Sequence, residues 1–139
     1  MDDALLAAYQ ATDYRVRLAR GGYAAIRIGQ ALSPPLRTLA GDHAWGFITA
    51  WNPRSEPTPR PQNRGAQRAL LAVLRAFPQT LLIRPGRGVS RDGRWIEPSL
   101  WVVGPDTAPL DALALRFGQF GYVHGRGATP AQLRLPPGA

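Results

Sequence analysis

The sequence predicts an α+β domain: a ferredoxin-like βαββαβ two-layer sandwich with an N-terminal helix and β-hairpin addition. Three observations point there. Ala66, Ala69, Leu70, Val73, Leu74 and Phe77 recur at i, i+3, i+4, i+7 spacing, the stripe of a helix packed on a sheet. Residues 44–51 are apolar at both parities, as in a strand covered on both faces. From Ala44 onward the elements read strand, helix, strand, strand, helix, strand, which folds most simply with two helices on one face of an antiparallel sheet.

Each element has its own signal. Residues 2–11 hold good helix formers, with Leu5, Leu6, Ala8 and Tyr9 as a short apolar face. Tyr14, Val16 and Leu18 alternate with Arg15 and Arg17, the period of a strand, and Gly21-Gly22 supplies a tight turn into a return strand, Tyr23–Ile28. Residues 29–43, with Ser33-Pro34-Pro35 and Gly41-Asp42, read as loop. The strand from Ala44 to Trp51 stops at Pro53, which has no amide proton for the ladder. Asn63 is a candidate N-cap for the first core helix, Arg64, Arg68 and Arg75 lie on its outer side, and Pro78 closes it.

Thr80–Ile83 and Trp95–Val103 form the second strand pair, joined by a flexible basic hairpin tip from Arg84 to Arg94. Pro98 is expected to delay regular pairing until Ser99. Asp106 or Thr107 caps a second helix with the stripe Leu110, Leu113, Ala114 and Phe117, ended by Gly118. Phe120–His124 is the last strand. One domain covers 1–139: an addition at 1–43, the core at 44–125, and a tail at 126–139 whose Pro130, Pro136 and Pro137 suggest poor order.

Composition narrows the chemistry. At 139 residues, 45% of them hydrophobic, the chain suits one domain with one core. Cysteine is absent, which removes disulfides, thiolate metal sites and cysteine nucleophiles. No apolar run is long enough to span a membrane, and Asp2-Asp3 is the reverse of a basic leader, so a cytoplasmic location is expected. His43 and His124 are the only histidines and make no zinc pattern, so no metal and no cofactor is expected. The four tryptophans fall in strand-like runs, where core packing is the expected role.

The net charge is +8, and every one of the 17 basic residues is arginine. An arginine-for-lysine preference accompanies any GC-rich coding bias. The scarcity of acids carries more weight: nine arginines from Arg54 to Arg94 face only Glu56 and Asp92. Such an imbalance sets up a field that attracts phosphates or an acidic partner. Arg64, Arg68, Arg84, Arg87, Arg91 and Arg94 are the candidate anion-binding residues.

The topology gathers polar residues from four segments at one end of the sheet: Asn52, Asn63, Glu97 with Ser99, and Arg116 with Gln119. These are the candidate ligand-binding residues. Asn52 also suits a turn, Asn63 a helix cap, and Glu97 an ion pair with Arg94 or Arg116. A buried Glu97 with a raised pKa is the candidate general acid or base.

The run Phe47-Ile48-Thr49-Ala50-Trp51-Asn52-Pro53, Asn63 at a helix start, Trp95-Ile96-Glu97-Pro98-Ser99, and Arg116-Phe117-Gly118-Gln119 together resemble a bacterial family, domain of unknown function 3293. The likeness covers residues 44–125. It implies no activity, and it falls on the residues that the topology collects.

Three functions from different classes are therefore expected in turn. The first is a binding module for an anionic partner, RNA or a nucleotide, through the arginines and the polar end. The second is a small enzyme centred on Glu97. The third is an interaction domain for an acidic protein partner.

Overall fold

The computed structural model describes residues 1–138. Helix α1 spans Asp3–Gln10 and is followed by the hairpin β1 (Asp13–Arg17) and β2 (Tyr23–Ile26). Then come α2 (Pro34–Ala40), β3 (Ala44–Ile48), a 3-10 turn at Pro53–Ser55, and the long α3 (Arg60–Ala76). Strands β4 (Leu82–Val89) and β5 (Ile96–Val103), α4 (Thr107–Arg116), β6 (Tyr122–Arg126) and β7 (Gln132–Arg134) complete the chain. All the strands join one antiparallel sheet in the order β2-β1-β4-β5-β3-β6-β7. The protein is α+β, and the N-terminal hairpin extends the sheet beyond β4.

Cross-strand partners point to the same face, so the register sorts the side chains. On one face Ile48, Leu100, Val102 and Tyr122 pack against Leu70 and Leu74 of α3 and Leu110, Leu113 and Ala114 of α4. Gly46 admits α4 closely: a Cβ there would stand 2.5 Å from Leu110 Cδ1. The other face carries Tyr14, Val16, Trp45, Phe47, Trp101, Val103 and Val123, packed against Leu32, Leu36 and Ala40, with Tyr9 of α1 beside them. Both faces are therefore covered, where a two-layer sandwich leaves one bare.

Several elements differ from the sequence reading, each for a local reason. Residues 29–43 contain a helix, because Pro34-Pro35 occupies the first helical turn, where a missing N–H costs nothing. Leu36 and Ala40 are fully buried, and that burial anchors α2. β3 leaves the ladder at Ile48, before Trp51. The segment 84–94 is not a free tip: β4 continues to Val89, and only residues 90–94 turn. Pro98 lies inside the ladder, opposite Arg87. Its carbonyl accepts from Thr49 Oγ1 at 2.8 Å, so its missing N–H faces the side where β3 has already ended.

The tail is built into the sheet. β7 pairs with β6, Ala131 is buried, and Arg134 is ion-paired with Asp111 of α4 at 2.6 Å. Ala139 lies outside the described residues.

Candidate functional site

Glu97 and Ser99 sit at alternate positions of β5 and therefore face the same side, away from α3 and α4. Their partners across the ladder are Gly88 and Gly86; the Phe47 ring covers Gly86, whereas Gly88 offers no side chain to fill the space above it. Helix α1 crosses over that gap. The result is a cavity of about 420 Å³ between α1 and the sheet. Leu5, Ala8, Tyr9 and Thr12 form its roof, Tyr14, Phe47, Gly88, Glu97 and Ser99 its floor, and Asn52, Ser55, Trp95 and Gln119 lie around it.

Glu97 is half-buried there and forms no ion pair with Arg94, Arg116 or any other arginine among the described residues. Desolvation pushes its carboxyl up to about 7, with the Trp95 side chain opposing the shift as a donor. Burial raises the Tyr9 hydroxyl to about 12, and the Glu97 charge adds to that rise. Tyr14 moves in the same direction, first through burial. Its hydroxyl donates to the Tyr9 carbonyl at 2.6 Å, which pins α1 to β1. Among the described residues no arginine, histidine or aspartate lines the cavity.

The two asparagines flanking the proline-rich loop turn out to face each other. Asn63 Nδ2 donates to Asn52 Oδ1 at 2.8 Å and to the Thr58 carbonyl at 3.1 Å. Asn63 Oδ1 accepts from the Asn52 amide at 2.8 Å, and Asn52 Oδ1 accepts from the Thr58 amide at 3.1 Å. Asn63 is not the helix cap, because α3 begins three residues earlier, after Pro59. Nor does it meet the cavity: it is 2% exposed, and its side-chain atoms are engaged within the loop. Asn52 holds a left-handed conformation, φ 48°, which asparagine tolerates better than most residues.

Gln119 is buried, and its Nε2 donates to the carbonyls of Trp51 and Phe117 at 3.2 and 3.3 Å. Its Oε1 has no protein partner among the described residues, and neither has Asn52 Nδ2. Ser99 Oγ donates to the Glu97 carbonyl at 3.1 Å. Of the six candidate ligand residues, Asn52, Glu97, Ser99 and Gln119 thus share the cavity. Arg116 does not: it is exposed, with its guanidinium 5.2 Å from the Phe117 ring centre.

The six candidate anion-binding arginines do not form one face. Arg64 and Arg68 are exposed on α3, and Arg91 and Arg94 are exposed in the β4–β5 turn. Arg84 lies opposite Trp101, on the cavity side of the sheet, whereas Arg87 lies opposite Pro98 and Arg15, on the helix side. A cluster does form, on residues that no sequence pattern singles out. Arg15 and Arg17 of β1 share a face with Arg87, and the Tyr23 ring lies under two guanidinium groups, 4.4 Å from Arg87 and 5.9 Å from Arg17.

Tyr9, Tyr14 and Trp95 line the cavity as well, without a site signal in the sequence. Tyr14 was legible as an inward strand position, but nothing in the sequence places α1 over the sheet. Trp95, expected in a strand core, is 46% exposed just before β5.

The fold and cavity define a small α+β domain with one internal face opened between a helix and glycine positions of the sheet. The chain belongs to the family described as Protein of unknown function (DUF3293), whose model matches residues 48–120. No curated protein and no solved structure matches the chain. The matched segment contains Asn52, Asn63, Glu97, Ser99, Arg116 and Gln119, while Tyr9 and Tyr14 lie outside it.

Proposed function

We propose that this protein is a binding domain for a small organic ligand held between α1 and the sheet, with Glu97 as the group that reads or protonates it. One observation carries the reading: in a chain of net charge +8, Glu97 stands unpaired in a cavity that no basic side chain lines. Burying a carboxyl without a cationic partner costs stability, and a site that keeps one is a functional candidate. A carboxyl near neutrality can also exchange a proton at working pH. The cavity offers no second carboxylate or histidine to share acid and base roles, so binding is favoured over turnover. The strand order β4-β5-β3-β6, with α3 and α4 on one face, supports reading the core as ferredoxin-like.

The test is a ligand-observed NMR screen of small neutral and charged fragments against the wild type and Gly88→Val. A Cβ at Gly88 would meet only Thr12 Cγ2, at 3.5 Å, so a larger side chain there fills the cavity while sparing the backbone. Fragments should bind the wild type and be lost from the variant at unchanged folding. Equal binding to both would remove the cavity as the site.

A second reading, an RNA- or nucleotide-binding surface, is favoured by the arginine cluster. Arg15 and Arg87 are directly opposed across β1 and β4, an arrangement that like charges disfavour. Arg87 Nε is buried without a hydrogen-bond partner. Phosphates would relieve both, and Tyr23 beside them offers an aromatic surface for a base. Single-stranded RNA should bind the wild type with an affinity that falls steeply with salt, and Arg17→Ala/Arg87→Ala should flatten that slope. An unchanged slope argues against this face.

A further inference from the structure

We infer that the ligand of the α1–sheet cavity is an organic cation, an amine or quaternary ammonium on an apolar body, held by Glu97 within a box of aromatic rings. The inference rests on the small-ligand reading above and names its class. Tyr9 enters from α1, Tyr14 from β1, Phe47 from β3 and Trp95 from the segment before β5, and all four line the same cavity as Glu97. Aromatic faces carry negative quadrupole charge, so rings around a carboxylate make an environment for a cation. An anion is disfavoured for the converse reason, since no arginine reaches the cavity from a surface rich in them. A neutral apolar ligand would leave the Glu97 carboxyl desolvated and unmatched.

The other polar groups suit an ammonium ligand. Gln119 Oε1 can accept from an ammonium N–H, as can the hydroxyl oxygens of Thr49 and Ser99. The titratable side chains that face Glu97 in the cavity are Tyr9 from α1 and Tyr14 from β1, while Tyr122 of β6 borders the cavity but directs its hydroxyl to Asp111 on the helix side of the sheet. Each of these tyrosines has a raised pKa and stays neutral through pH 8. Glu97 is therefore the group whose charge changes near neutrality. In the empty cavity its carboxyl holds a proton up to about pH 7. A bound cation favours the ionised form, so cation affinity should climb about tenfold per pH unit toward pH 7 and level off above it.

Three probes of one size separate the possibilities: 2-phenylethylammonium, the neutral 2-phenylethanol, and phenylacetate, titrated by calorimetry and by ligand-observed NMR at pH 5.5 and 7.5. The wild type should bind the ammonium at least about tenfold more tightly than the alcohol at pH 7.5, with little binding of the carboxylate. That preference should shrink at pH 5.5. Glu97→Gln should abolish it while leaving alcohol binding within about twofold. Alcohol bound as tightly as ammonium, or phenylacetate bound best, overturns the cation assignment and leaves the cavity standing as the ligand site. If no probe binds and none perturbs the intrinsic tryptophan fluorescence, both readings fall. The comparison among probes needs only the wild type, so a folding defect in the variant does not decide it.

Discussion

Glu97, half-buried, and Asn63, buried, show how two polar side chains come to opposite energetic ends. The folded state raises the Glu97 pKa from 4.5 to about 7, so between those pH values the native chain holds a proton that the unfolded chain has lost. The stability tied to that proton is complete below about pH 4.5 and is lost as pH rises through 7. His124 works against this slope, since burial lowers its pKa and the unfolded chain is then the better proton acceptor near pH 6. Comparison with Glu97→Gln isolates the carboxyl. Melting temperatures from pH 4.5 to 8 should show the variant level with the wild type at the acid end. At pH 8 it should be more stable by about 1–2 kcal/mol, a figure discounted for the partial solvent contact of Glu97. No gain at pH 8 would mean that the carboxylate is already stabilised in the fold. Asn63 is the contrary case, engaged on both sides of its amide. Asn63→Ala leaves the Asn52 amide and the Thr58 carbonyl without their partner, and urea unfolding should show a loss of about 2–3 kcal/mol.

Among the elements, the C-terminal segment makes the sharpest test. Its backbone ties Gly29 and Gln30 to Ala131, and its Arg134 lowers the pKa of the Asp111 carboxylate beside the Tyr122 hydroxyl. A chain ending after Gly127 loses β7, bares the β6 edge and leaves Asp111 without its guanidinium. The loss should be on the order of 3 kcal/mol or more, read as a lowered melting temperature. An unchanged melting temperature would make the tail an ornament. This segment also shows where sequence reading ran short. α3 is legible because its apolar stripe, Ala66 to Phe77, repeats over about three turns, and β3 because both of its parities are apolar. A three-residue strand flanked by prolines carries no periodicity, and its order comes from pairing with β6, from Asp111 of α4, and from Gly29 and Gln30, which bond to Ala131 just before it. β4 was cut short for a related reason: Arg84-Pro85-Gly86-Arg87-Gly88 has no alternation of its own, and pairing with β1 and β5 alone makes it a strand. The cavity inherits both gaps. Its floor residues Glu97 and Ser99 followed from topology, whereas its roof depends on how α1 docks, which no local pattern encodes.

Over the whole molecule, the surface carries a net positive charge, while among the described residues the acid that lines the cavity is Glu97. Only Arg15, Arg27, Arg126 and Arg134 form ion pairs among the described residues, so most of the seventeen arginines contribute uncompensated positive field. β4 separates the two regimes, with Arg87 on one face and cavity-lining Gly88 on the other. A cation bound for Glu97 must cross the repulsive outer field before it meets the carboxylate. A polyanion bound for the Arg15–Arg17–Arg87 cluster is drawn in by the same field. Salt acts on these long-range terms more strongly than on contacts inside the cavity, because the Debye length shrinks from about 30 Å at 0.01 M to about 10 Å at 0.1 M. Raising salt over that range should therefore speed association of 2-phenylethylammonium severalfold while slowing that of single-stranded RNA. Stopped-flow traces of intrinsic tryptophan fluorescence follow the first, and fluorescence anisotropy of a labelled RNA follows the second. Opposite signs for the two slopes are what one protein with an acidic pocket beneath a basic surface must give. If both rates fall with salt, the cation does not experience the net positive charge, and its site lies outside the cavity.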